Sequence, residues 1–182
     1  MIKFKNVILV IVLASIILAC TPEKKPEVME TPAVQETMPV SLAYDPSYSA
    51  SFELGNPAYA EMIVQGSWKD WEDDNLDNMA NWVCDTITAF HSDNEVVYGL
   101  ENLMARWKEA RSEYTSSVPT INAVMSIRST DRNEDWVLVW ATSIDTKTDG
   151  AIDTVALMET WRINADGKAD MLLQFDRANR KE

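Results

Sequence analysis

The sequence predicts an α+β fold in which three N-terminal helices pack in the concave face of a strongly curved, mainly antiparallel sheet. Amphipathic helical patterns occur only before Pro119. Four alternating, strand-like segments follow it, at 120–130, 135–148, 151–163 and 168–177. Two of the turns between these segments contain Asp-Gly, which is typical of tight hairpins. Because long antiparallel strands twist and curl, we expect a cone-shaped α+β roll with the helices inside it.

The three helices are predicted from capping residues and apolar spacing. Asn56 and Pro57 form a typical helix start, with an N-cap followed by a proline in the first turn. The first helix is predicted to run to about Asp74, and Asn75 can cap a second, shorter helix. Apolar residues at helical spacing mark a third helix: Leu103, Trp107, Ala110 and Tyr114. That helix is predicted to stop before Pro119.

A short hairpin is predicted between the second and third helices. The segment 86–91 is β-branched and aromatic, as expected for a strand. Residues 92–94 have the turn sequence Ser-Asp-Asn, and residues 95–98 return as a second short strand.

The predicted strand at 135–148 is apolar on both of its faces. Trp136, Leu138 and Trp140 alternate with a second apolar set, Val137, Val139 and Ala141. One face can pack against the helices, so the other face needs a second cover. We expect a homodimer through the outer face of the sheet, with an N-terminal arm at 44–54 as the alternative cover.

Composition and charge exclude several classes of function. The chain of 182 residues has 29 acidic and 16 basic side chains and a net charge of −13, which argues against a nucleic-acid partner. Two cysteines make neither a disulfide framework nor a zinc site, and one histidine excludes sites built on paired imidazoles. The sequence also lacks a glycine-rich phosphate loop and a nucleotide fingerprint. We therefore predict no metal and no cofactor.

The N-terminus carries the pattern of a secretory signal. Lys3 and Lys5 precede an apolar run from Val7 to Ala19, which is too short to span a bilayer. The run ends in Ile-Leu-Ala before Cys20 and resembles the lipobox of bacterial lipoproteins. The resemblance implies cleavage before Cys20, lipidation of its sulfur and a place in the bacterial cell envelope, at the outer membrane of a Gram-negative host. An ordinary signal peptide with an incidental cysteine is the alternative.

Proline and tryptophan divide the remaining chain into a spacer and a domain. Six of the seven prolines lie before residue 58, whereas all seven tryptophans lie between Trp68 and Trp161. The predicted organisation is a signal peptide at 1–19, a lipidated cysteine with a disordered Pro/Glu-rich tether at 20–55, and one domain at 56–182. Contact with a membrane would be through the N-terminal lipid only.

The order of elements resembles the SnoaL-like branch of the nuclear transport factor 2-like (NTF2-like) superfamily. Its most specific pieces are 68–72 (Trp-Lys-Asp-Trp-Glu), 75–77 (Asn-Leu-Asp), 85–92 and 161–168 (Trp-Arg-Ile-Asn-Ala-Asp-Gly-Lys). The resemblance implies a curved-sheet cone with a cavity between helices and sheet. The family hosts isomerases, cyclases, dehydratases and non-enzymatic binders, so the resemblance leaves the function open.

The ketosteroid isomerases of this superfamily allow a comparison by position. Their general base falls on His91 and their buried acid on Glu159, whereas their tyrosine falls on Ser67. A serine is too short to replace a phenol, which argues against steroid isomerisation. An imidazole can take a proton near neutral pH, and a buried carboxyl can donate a hydrogen bond to an oxyanion. As alternatives, His91 is a turn residue, and Glu159 forms a structural ion pair with Arg162, Arg128 or a lysine.

The tryptophans support a second hypothesis about the site. Five of them are candidates to line a cavity for a flat, apolar ligand or, alternatively, to fill the core: Trp68, Trp71, Trp107, Trp140 and Trp161. The preferred function is a lipid-anchored domain that binds a small apolar or mixed-polarity molecule in its cone. One alternative is a cofactor-free acid–base enzyme, an isomerase, dehydratase or hydrolase, with His91 as the base. Another is a protein-interaction lipoprotein subunit that acts through the outer sheet face.

Overall fold

Seven strands form a single curved sheet in the computed structural model, which describes residues 42–178. The strands are β1 Phe52–Leu54, β2 Val83–Phe90, β3 Val96–Tyr98, β4 Tyr114–Ser129, β5 Glu134–Lys147, β6 Ile152–Ile163 and β7 Ala169–Ala178. Their order is β1-β4-β5-β6-β7-β2-β3, and every neighbouring pair is antiparallel except β2–β7. The predicted mainly antiparallel α+β fold is confirmed. The predicted signal peptide, Cys20 and most of the tether lie outside the described residues.

The predicted helical segments are all present. The first combines α1 Pro57–Ile63, a π-helix Val64–Lys69 and α2 Asp70–Glu72; the second combines a 3₁₀ turn Leu76–Asn78 and α3 Met79–Trp82; the third is α4 Leu100–Ser112. Asn56 caps the first as predicted, because its Oδ1 accepts a hydrogen bond from the Ala58 amide at 3.1 Å. None of the helices within residues 42–178 is long and apolar enough to cross a membrane.

The boundary between α4 and the first long strand differs from the prediction. The helix ends at Ser112, so Tyr114 and Pro119 belong to β4. A proline is tolerated there because β4 is close to the sheet edge: β1 pairs only with Ile127–Ser129. Helical spacing of Tyr114 with earlier apolar residues was therefore a coincidence of sequence.

Indole rings form a row of edge-on contacts through the core between the helices and the sheet. Trp71 contacts Trp107, Trp107 contacts Trp161 and Trp161 contacts Trp82, at centroid distances of 5.9, 6.1 and 5.2 Å with edge-on geometry. The inner face of β5 supplies Val137, Val139 and Ala141 to the same core, as the alternation predicted. Edge-on aromatic pairs of this kind add to the stabilisation from burial.

The N-terminal arm covers one end of the outer sheet face. Tyr48 packs edge-on against Trp136 at 6.1 Å, and the Arg132 guanidinium lies 4.7 Å from the Tyr48 ring. Trp136 is therefore only 8% exposed, although it points away from the helices. Apolar side chains remain exposed elsewhere on or beside that face, among them Val118, Met125, Ile144 and Phe175. The homodimer through this face stays a prediction.

The π-helix requires a glycine where it meets the second helical segment. A Cβ on Gly66 would lie 2.4 Å from Nε1 and 2.5 Å from Cε2 of Trp82. Trp82 is itself held against Trp161, so its ring has little room to move. The contact keeps the π-helix close to the short helix α3.

We expect Gly66→Ala to destabilise the full-length chain by about 1–3 kcal/mol through overpacking against Trp82. In a helix without that contact, alanine would instead stabilise by roughly 0.5–1 kcal/mol, so the sign of the effect is diagnostic. Chemical denaturation measures the free energy of unfolding. In the double variant with Trp82→Leu, adding Gly66→Ala should cost much less. An unchanged or raised stability of the single variant would contradict the close contact.

Candidate functional site

A cavity of about 380 Å³ lies between the helices and the concave face of the sheet. Trp68, Trp71 and Trp107 contribute its indole walls. One polar group of lining residues surrounds Glu159, and a second surrounds Asp145. The cavity therefore combines apolar walls with a few polar side chains, which is the usual character of a small-molecule site.

Glu159 is a carboxyl enclosed by hydrogen-bond donors. Its side chain is 3% exposed and lies on the inner face of β6. Its Oε2 accepts from Trp161 Nε1 at 2.9 Å and from Ser67 Oγ at 3.2 Å, and its Oε1 accepts from Gln174 Nε2 at 3.0 Å. Within residues 42–178 no ion pair forms on this carboxyl, so the predicted pairing with Arg162 or Arg128 is absent; these arginines bond Asp170 and Asp135 instead.

Burial raises the pKa of Glu159 from its ordinary value of 4.5, and the three hydrogen bonds only partly offset that rise. The protonated acid is therefore favoured over a wider pH range than for an exposed glutamate. Trp161 is a fixed donor, and the amide as oriented also donates, so in the protonated form Oε2 would donate to Ser67 Oγ, the reverse of the hydrogen bond to the ionised carboxylate. Ser67 can then turn its own hydroxyl hydrogen toward the cavity.

His91 belongs to the same hydrogen-bonded group. It directly follows β2 and is 7% exposed, and its Nδ1 lies 3.1 Å from Gln174 Oε1. Because that oxygen is an acceptor, Nδ1 carries the hydrogen and Nε2 keeps a lone pair. Nε2 is buried and has no partner among the described residues. Burial lowers the pKa of His91 below 6.5, so the ring is neutral at pH 7.

The π-helix brings Ser67 to this group. A π-helix is wider than an α-helix, and this one buries three consecutive residues, Gly66, Ser67 and Trp68. Ser67 thus reaches Glu159 while its neighbour Trp68 lines the cavity. The indole Nε1 of Trp68 is buried without a hydrogen-bond partner among the described residues.

A second polar group lies farther along β5. Asp145 Oδ1 accepts from Ser117 Oγ at 2.5 Å and from Ser143 Oγ at 2.6 Å, and Ser117 accepts from Trp71 Nε1 at 2.9 Å. Along β5, Asp145 lies six positions beyond Val139, and Val139 pairs with Glu159 on the neighbouring strand. At about 3.3 Å per residue, the backbone positions that carry the two carboxyls are therefore roughly 20 Å apart along the strand.

Charged side chains from the hairpin and α4 meet at the exposed rim. Arg106 donates to Asp93 at 2.6 Å and also pairs with Glu95. Across the rim, Ser92 Oγ donates to Asp176 Oδ2 at 2.6 Å. Among the lining residues that the structure describes, Arg106 is the one arginine, and it is already paired with two carboxylates.

The structure brings together six of the predicted site residues and leaves two outside the cavity. The lining includes Ser67, Trp68, Trp71, His91, Trp107 and Glu159. Trp140 faces away from the helices, because it alternates with the buried Val139 and Ala141 along β5. Trp161 faces inward but is fully buried beneath the lining, where it donates to Glu159. Cys20 lies outside the described residues.

Sequence reasoning missed Gln174, Asp145 and Arg106. The alternation of β7 placed Gln174 on the inner face beside Leu172, and a polar residue there was a usable signal. Asp145 shares its face of β5 with Val139 and Ala141, so the same signal was present. Among the residues from 42 to 178, no cluster of three His, Cys, Asp or Glu side chains could hold a metal ion.

We expect Glu159→Gln to change how stability depends on pH. A raised pKa means that the folded chain keeps a proton that the unfolded chain releases above pH 4.5, so this group's contribution falls as pH rises toward the folded pKa. The variant should therefore gain stability relative to wild type as pH rises above about 4.5, by at most about 1.4 kcal/mol per pH unit.

Urea unfolding of the full-length chain across that range measures the difference. Glu109→Gln, on the exposed side of α4, is the matched control and should follow the wild type. Equal pH dependences for wild type and Glu159→Gln would show that the carboxyl is ionised in the folded chain.

Comparisons with known proteins identify the fold. The chain matches no protein-family model and no curated protein. One similar solved structure is that of SalBIII, an epoxide hydrolase/cyclase-like enzyme with a role in pyran ring formation in the polyether salinomycin. It is 10% identical in sequence and has a TM-score of 0.55, and the match covers 67% of this chain and 93% of SalBIII. A putative SnoaL-like polyketide cyclase from Jannaschia sp. CCS1 is 14% identical in sequence and has a TM-score of 0.53, and the match covers 66% of this chain and 83% of the cyclase chain.

A third solved structure, an NTF2-like protein of unknown function from Burkholderia pseudomallei K96243, is 15% identical with a TM-score of 0.52, over 66% of this chain and 91% of its own. At these identities the likeness is one of fold. Residues 42–178 have the cone-shaped α+β fold of SnoaL-like and NTF2-like proteins.

Proposed function

We propose that the protein binds a small molecule of mixed polarity in the cavity of its cone. The observation that carries this proposal is a cavity of about 380 Å³ whose lining includes two residues with unpartnered buried polar atoms. Trp68 Nε1 can donate a hydrogen bond and His91 Nε2 can accept one. Buried polar atoms without partners are rare in folded proteins, so their presence in a cavity wall supports a ligand that completes them.

The walls favour a partly apolar ligand. Trp71 and Trp107 meet edge-on at 5.9 Å, and both line the cavity together with Val155 and Leu157. Aromatic and aliphatic walls favour burial of an apolar body, while a few polar groups fix its orientation. A ligand that is apolar throughout would leave both orphan atoms unsatisfied.

A cofactor-free acid–base enzyme is the second candidate. It is favoured by the hydrogen-bonded series His91–Gln174–Glu159–Ser67 along one cavity wall. In this proposal His91 Nε2 takes a proton from carbon or water, and Ser67 and Trp68 donate to the oxygen on which charge develops. Burial raises the pKa of Glu159, and in its protonated form this acid donates to Ser67 and holds the serine in its donating orientation. Two of the structural neighbours are named as cyclase-like proteins, and this chain shares only their fold.

Four further predictions from the sequence remain proposals. Lipid attachment at Cys20 and the cell-envelope location concern a segment outside the described residues. The homodimer, and a protein-interaction role for the outer sheet face, are supported by the exposed apolar side chains on that face. Neither the homodimer nor the protein-interaction role depends on what the cavity binds.

Filling the cavity should abolish ligand binding. Ala110 lies on α4 and lines the cavity, so Ala110→Trp places an indole inside it. Titration of the full-length chain with 4-phenyl-1-butanol, followed by tryptophan fluorescence and calorimetry, measures binding. We expect saturable binding by wild type and at least about a tenfold loss in the variant. Ala105→Trp, on the exposed face of the same helix, is the control and should bind as wild type does.

Catalysis can be separated from binding with a panel of epoxides, β-hydroxy ketones and enolisable ketones. If one is turned over, His91→Gln should lower kcat by about 10²–10⁴-fold with little change in KM, as for loss of a general base. Gln174→Leu should cause a smaller loss and shift the pH profile, because Gln174 positions the imidazole. Full activity in His91→Gln would exclude the proposed base.

A further inference from the structure

We infer that the cavity takes a cationic ligand, a protonated or quaternary amine on an apolar body, with Asp145 as the counterion. The inference rests on the proposed binding function and specifies the charge and orientation of the ligand. Three features of the cavity support it: the bonding of Asp145, the charges around the cavity and the position of the indoles.

Asp145 is a carboxylate that only hydroxyl groups bind. Ser117 and Ser143 both donate to the same oxygen, Oδ1. Within residues 42–178 no lysine, arginine or histidine forms an ion pair with this side chain. Ser117 and Ser143 are 2% and 5% exposed, so the hydroxyls that fix the carboxylate are held in the wall. A half-buried carboxylate without a cation is a favourable place for one.

The other charges of the lining do not neutralise Asp145. Arg106 is engaged by Asp93 and Glu95 at the rim. His91 is neutral because burial lowers its pKa, and Glu159 is held toward its neutral form because burial raises its pKa. Asp176 adds a second carboxylate, and within residues 42–178 it accepts a hydrogen bond from Ser92. The lining therefore carries net negative charge in a chain whose overall charge is −13.

The indoles lie next to this carboxylate. Trp71 donates from Nε1 to Ser117, which itself bonds Asp145, and Trp107 packs edge-on against Trp71. An ammonium bound at Asp145 would thus lie near the indoles, which can bury the apolar body attached to it. The apolar body can follow the indoles toward Trp68 and Glu159, which line the same cavity.

Three probes of equal shape and different charge test the inference on the full-length wild-type chain: 4-phenylbutylamine, 4-phenyl-1-butanol and 4-phenylbutyrate. We expect the amine to bind about tenfold more tightly than the alcohol and the carboxylate to bind more weakly than both. Asp145→Asn keeps an acceptor for the two serines and should reduce the affinity for the amine to that for the alcohol. Asp166→Asn removes one charge from an exposed turn and should preserve the tenfold preference.

The outcomes separate this inference from the proposed function. Equal or tighter binding of the alcohol, lost in Ala110→Trp, overturns the cationic ligand and leaves the binding cavity intact. An amine preference that survives in Asp145→Asn overturns Asp145 as the counterion. Absence of binding by all three probes overturns the inference together with the proposed cavity function for ligands of this size. The comparison of probes on wild type requires no variant to fold.

Discussion

A carboxyl group buried in the middle of a sheet needs hydrogen-bond donors from the elements around it. Glu159 is such a group, so the elements around the cavity must be placed to donate to it. Its donors come from the π-helix through Ser67, from its own strand through Trp161 and from β7 through Gln174. Gln174 then extends the group to His91 at the end of β2. An unsatisfied carboxyl at this depth would be strongly destabilising, so the same contacts hold together the helices, the sheet and one wall of the cavity.

The architecture could be predicted because strand alternation has a period of two and the β5–β6 register is unbroken from Asp135 to Thr146. That pattern placed Val139 in the core and Trp140 on the opposite face. Including Trp140 among the cavity residues therefore contradicted the alternation already visible in the sequence. His91 and Glu159 were identified as site residues from a resemblance, and the structure places both in the lining of one cavity.

The rest of the site depends on features that leave little trace in a single sequence. A π-helix changes the spacing at which residues share a face, so helical periodicity does not indicate that Ser67 and Trp68 both turn inward. The β4–β5 pairing shifts register between Tyr114 and Ser116 and again between Ile121 and Ala123. These shifts determine which serine of β4 lies opposite Asp145. Composition and periodicity carry no information on such shifts of register.

The amide of Gln174 links the protonation of Glu159 to the hydrogen-bonding role of His91. When Gln174 Nε2 donates to Glu159, its oxygen accepts from His91 Nδ1, and Nε2 of the imidazole is an acceptor and a base. If the proton of Glu159 moved to Oε1, the amide would have to turn, Nδ1 would become the acceptor, and Nε2 would carry the hydrogen. Ser67 donates to Oε2 in the ionised form and can accept the acid proton at Oε2 in the protonated form, and in both cases Oε1 is left to accept from the amide. The serine is too short to act as a phenol does, yet its place beside Glu159 keeps the imidazole in the tautomer that a base requires.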